Sequence, residues 1–199
     1  MKLVFKINNG TDPAEAVVGD TNFKDHFPAV HKHMPWGSLK PYIRQATRKY
    51  VLPFLCSDIY NDIATKFEND HSLDVNQEEF LELLQDAVAY YTIHHAMPTL
   101  NGAISDMGIQ ERSSNDATSA PVAMWRYKNM RWEVCMTADN NMDNLLEFME
   151  IKVADGNSYF DLWSGSTCYL DWRSDFFWQT SHLQEHLNIR GSRRAFVTL

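Results

Sequence analysis

Near the end of the chain, in "HLQEH" at 182–186, two histidines stand four residues apart with a glutamate beside the second. On a helix these positions share one face, so His182 and His186 could hold a zinc ion in the inverted zinc-peptidase order H-x-x-E-H. Such a centre also needs a third protein ligand and a glutamate free to activate water. Only 13 residues follow His186, and none is His, Asp, Glu or Cys. Glu185 cannot serve as ligand and base at once. Gly191 and Ser192 also end any helix soon after the motif. His182 and His186 are therefore expected to cap or decorate a short helix, and a zinc-dependent hydrolase is the alternative this argument turns against.

The remaining chemistry-bearing residues fare no better. His26, His31 and His33 could meet a metal, but Pro28 and Pro35 make their surroundings an irregular, water-facing loop. His94 and His95 are read as the last residues of a helix, where the dipole favours a protonated imidazole. The chain contains no P-loop, dinucleotide fingerprint, nucleophile elbow or H-E-x-x-H. No pair of carboxylates falls at identifiable glycosidase positions. No catalytic residue, no metal ligand and no cofactor is expected, and the chain is read as a non-enzyme.

The elements that would position any site are mostly helical. Residues 38–54 carry an apolar stripe (Leu39, Tyr42, Ile43, Ala46, Tyr50, Phe54), with Ser38 as cap and Pro41 in the first turn. A second helix spans about 57–67. A third spans 77–97, opened by an Asn76/Glu79 capping box and stopped by Pro98. In the most regular stretch, Ala123, Tyr127, Met130, Val134, Ala138, Met142, Leu145, Met149 and Val153 recur every three or four residues. They predict one helix of about 31 residues, roughly 45 Å long, ended by Gly156. A break near "ADNNMDN" at 138–144 is the alternative. "LVFKI" at 3–7 predicts one strand, and 101–120 reads as a long loop. The fold class is mainly α: a multi-helix domain with a long helix, a minor N-terminal β element and an aromatic-rich hairpin near 159–172.

Domain organisation follows from the same pass. Residues 1–156 read as a helical domain. Residues 157–199 read as an aromatic-rich segment and the start of a second repeat, because "SHLQEHLNIRGSRRAF" echoes the pattern of 22–43. On that reading the chain is the N-terminal part of a longer protein. The three cysteines, Cys56, Cys135 and Cys168, have no C-x-x-C spacing and are read as unbonded, buried thiols in a reducing compartment. A net charge of −8, from 18 basic and 26 acidic residues, leaves no basic stripe for duplex DNA. No membrane span and no signal peptide are read.

Phe23, Phe27, Val30 and Trp36, then "LKPYIRQATRKYVLPFLCSDIYNDI", "ISDMGI" and the closing "GSRRAFVTL", carry a resemblance over about residues 20–199. The pattern resembles a family of bacterial prophage proteins encoded among virion-assembly genes and similar in helical pattern to head–tail connector (adaptor) proteins. The resemblance implies a non-enzymatic phage structural protein in the cytoplasm of a bacterial host, or in the virion. It also implies protein partners, either copies of itself or virion proteins. No membrane and no sequence-specific nucleic acid enter this reading. The candidate interface is Met130, Met142, Leu145 and Met149 on the long helix, with Trp163, Trp172 and Trp178 from the aromatic segment. A helix so long is expected to outreach its own domain and leave part of its stripe for a partner. A general α-helical protein-binding module using 159–178 is the second reading.

Overall fold

Apolar periodicity becomes helix along most of the chain. The computed structural model describes residues 1–8, 11–103, 110–112, 119–121 and 124–169. α1 (Phe23–His26) and α2 (Trp36–Ala46) come first; a π turn over Thr47–Val51 joins α2 to α3 (Leu52–Leu55), and α4 (Ser57–Glu68) follows. Two long helices dominate, α5 (Val75–Ala103) and α6 (Met124–Ala154). Between them lies a short antiparallel pair, β1 (Gln110–Arg112) and β2 (Ser119–Pro121), in the register Glu111 opposite Ala120. A 3-10 turn at Ser158–Phe160 leads into α7 (Asp161–Ser164). The protein is mainly α.

The strand expected over 3–7 does not form. Val4 and Phe5 are neighbours yet both are buried, which no alternating strand allows. The segment makes one isolated bridge, Ile7 with Thr21. Side chains bond other backbone groups here: Tyr60 Oη donates to the Lys2 carbonyl, Gln85 Nε2 to the Val4 carbonyl, and the Lys6 amide donates to Asn22 Oδ1.

Helix ends differ from expectation for local reasons. The helix expected over 38–54 starts earlier, at Trp36, with no side-chain cap, so Ser38 lies inside it. It widens at Thr47–Val51 because Pro53 cannot donate to the Lys49 carbonyl and would clash with it. Thr47 Oγ1 back-bonds to the Ile43 carbonyl at the same place. α5 is capped by Asp74, whose Oδ1 accepts the Gln77 amide at 2.9 Å, and Asn76 is already helical. Pro98 does not stop it; the helix loses one bond to the His94 carbonyl and continues to Ala103. α6 matches its expected 31 residues, unbroken through 138–144. It ends as expected at Gly156, at φ 75°, with the Asn157 amide bonded back to the Lys152 carbonyl at 3.0 Å.

α5 and α6 pack side by side, and α2 lies across α5. The core between them is aromatic: Trp36, Trp163, Tyr60, Phe23, Phe80 and Phe160 are all fully buried. Burial of each such side chain contributes about 1.5–3 kcal/mol. Phe160 and Trp163 join the same core as Val4 and Met149, so among the described residues the core runs on past the boundary expected after 156. The hairpin expected near 159–172 is replaced, as far as residue 169, by helical turns with a turn at Gly165 and a bend at Ser166. Trp163 Nε1 donates to the Phe54 carbonyl at 2.8 Å and pins α7 to α3. The proposed second repeat lies outside the described residues. Among those described, no helix is long and apolar enough to cross a membrane.

The cysteine reading is also corrected. Cys56 and Cys168 form a disulfide, with Cα atoms 5.7 Å apart, and Cys135 is buried outside it. The inference of a reducing compartment, which rested on three unbonded thiols, loses that support.

Candidate functional site

Two places collect side chains that could do more than hold the fold. The first is a polar seam where the π turn, α5 and α6 meet. α5 places Tyr91, His94 and His95 within one helical turn, so the first two face inward and the third sits at the rim. Tyr91 stacks on Tyr50 of the π turn, ring centres 4.7 Å apart and planes at 6°. Its O–H donates to Asp139 Oδ1 at 2.7 Å, and both residues are almost wholly buried. His94 Nδ1 lies 3.3 Å from the Arg131 carbonyl, and His95 Nε2 lies 2.9 Å from Gln45 Oε1. Burial first, then the charges of Lys49 and Arg131, hold His95 below the usual histidine range.

These histidines do not cap a helix end, as the sequence suggested, because α5 runs on past them. The His95 ring, inside a helix, bonded to a neighbouring element and held toward its neutral form, is the opposite of a protonated cap. Sealed from water, the Tyr91–Asp139 bond joins α5 to α6. Tyr91→Phe is accordingly expected to cost about 1.5–3 kcal/mol, read by urea unfolding, as a buried carboxylate loses a donor. A loss well under about 0.5 kcal/mol would show that Asp139 does not need Tyr91.

Other titratable residues lie outside these two places. His26 Nδ1 meets Asp86 Oδ1 at 2.7 Å, tying α1 to α5. His31 and His33 face one another across 5.5 Å on the exposed loop between α1 and α2. Tyr60 is pushed up to about 12, mainly by burial and partly offset by a hydrogen bond from Thr47. Tyr159 is raised too, by burial and then by the charge of Asp62. Among the described residues, no three His, Cys, Asp or Glu side chains converge as a metal site requires. His182 and His186 lie outside them.

The second place is the N-terminal end of α6. Its first three turns carry Trp125 at 67% exposure, Met130 at 41% and Trp132 at 49%, together with exposed Lys128. Of the expected interface residues that are described, Met130 alone is exposed. Met142, Leu145, Met149 and Trp163 are core, at 2% exposure or less, against α5 and the helical turns at 158–164. This corrects the expectation of an open stripe. Trp172 and Trp178 lie outside the described residues. Trp125 and Trp132 escaped the sequence reading because they sit off the apolar stripe. Their signal was there: two tryptophans seven apart share a helix face, with cations between them.

A family of unknown function, DUF6712, matches residues 51–171. That is more than half of the 199-residue chain. The protein is a DUF6712 member. The match takes in both long helices, both bonded cysteines and the exposed tryptophans; of the polar seam it includes Tyr91, His94, His95 and Asp139 but not Tyr50 or Gln45. No curated protein and no solved structure matches the chain.

Proposed function

We propose that this DUF6712 protein is a non-catalytic structural protein of phage head–tail connector type, working by association with copies of itself and with virion proteins. One observation carries the reading: a 31-residue helix is anchored by its C-terminal half in the core and presents tryptophan at its other end. A stiff arm with an exposed aromatic tip is what a lateral contact between subunits needs, since aromatics anchor such contacts. The resemblance to prophage virion-assembly proteins supports the same reading. On it the protein resides in the cytoplasm of a bacterial host until built into the particle, and the chain's negative charge limits unproductive binding to DNA. Mass spectrometry of purified particles, induced from a host that encodes this sequence, tests it. The protein should be recovered in the particles in several copies. Particles that lack it would overturn the assignment.

A further inference from the structure

Among the described residues, seven large apolar side chains are exposed, and five of them lie on α6 or α7: Trp125, Met130, Trp132, Ile151 and Leu162. They form two groups at opposite ends of α6. Their charged neighbours have opposite signs. Lys128 stands between the tryptophans, whereas Glu147 and Asp155 flank Ile151; all three are exposed. None of the three has an ion-pair partner among the described residues. α6 has no acidic residue in its first turn. The helix dipole therefore disfavours cations there, unless acidic groups come from outside.

We propose that the tryptophan end of α6 docks on the Glu147–Ile151–Asp155 face of a second copy of this chain. This rests on the self-association reading above and names its contact. The occupant follows from charge: the chain carries −8 overall, and its own helix offers an acidic, aliphatic face complementary to the cationic, aromatic one. One copy cannot close this contact on itself. The two faces are roughly 30 Å apart along a rigid helix at 1.5 Å per residue. Nor does a two-fold pair satisfy both. Trp132 and Ile151 are 19 residues apart, so at about 100° per residue their faces differ by roughly 100°. The contact is head-to-tail, and repeating it gives a ring or a filament.

Two exposed-site variants test this without touching the core. Trp132→Glu blocks one face and Ile151→Glu the other. Sedimentation velocity of the full chain should show complexes larger than two copies, dissociating as salt is raised. Each variant alone should sediment as a single copy, with wild-type circular dichroism and melting. Mixed in equal amounts, they should form a complex of two copies that grows no further, because each supplies the face the other lacks. A single-copy wild type, a Trp132→Glu chain that still assembles, or a mixture that stays single would overturn the contact. Particle composition reads the broader assignment separately, so failure of one is distinguishable from failure of the other.

Discussion

Replacing Met142 and Met149 together with glutamate unfolds the protein instead of releasing a partner. Both methionines are core, 2% and 0% exposed, in the layer between α5 and α6. Removing a buried methionine's packing costs about 2–5 kcal/mol. Placing an unpaired carboxylate in the same space costs several kcal/mol more, or forces it to take up a proton. Two such changes exceed the roughly 5–15 kcal/mol that holds a typical domain together. Loss of the cooperative urea transition and of near-ultraviolet dichroism is the expected result, with Met142→Leu as a tolerated control. A double variant that melts like wild type would remove both residues from the core.

The same methionines show how far the sequence was legible. α6 could be read almost to the residue because nine apolar positions kept the helical period and Gly156 followed them. The period says that a face is apolar; it does not say what covers it. A helix of about 31 residues looked too long for its own domain to cover. In the structure α5 and α6 pack together, with Tyr91 bonded to Asp139 and with Phe80, Leu84, Met142 and Met149 in one core. Met142 and Met149 therefore face their own chain, and the free end of α6 bears the tryptophans.

Short elements were less legible for a related reason. Five residues such as "LVFKI" have the same composition whether they pair as a strand or wedge against helices, and here the helices supplied the hydrogen bonds. The seam of Tyr50, Tyr91, His94 and Asp139 joins three separate elements, so no local spacing announces it. His94 and His95 looked like a cap because the helix end was misplaced by Pro98. The strand at 3–7 lost to tertiary contacts that override a local signal, whereas the helix ends turned on local backbone chemistry.

Breaking the Cys56–Cys168 bond is expected to destabilise the protein by about 2–5 kcal/mol, since it closes a very long loop in the unfolded chain. The cysteines are 112 residues apart, a separation that no spacing rule could pair. The bond ties the junction of α3 and α4 to the turn after α7, beside the Trp163–Phe54 hydrogen bond. That junction is strained: Cys56 adopts φ 60°, ψ 166°, a region occupied almost only by glycine. In denaturant without reductant, thiol titration should count one thiol, that of Cys135; a count of three would refute the bond. Urea unfolding of Cys168→Ser should show the lower midpoint, together with a steeper dependence as the freed unfolded chain exposes more surface. Cys56→Gly loses the same bond but relieves the strain, so it should remain the more stable variant by about 1–3 kcal/mol. If the two variants unfold together, the backbone at Cys56 carries no strain, and the disulfide accounts for the whole effect.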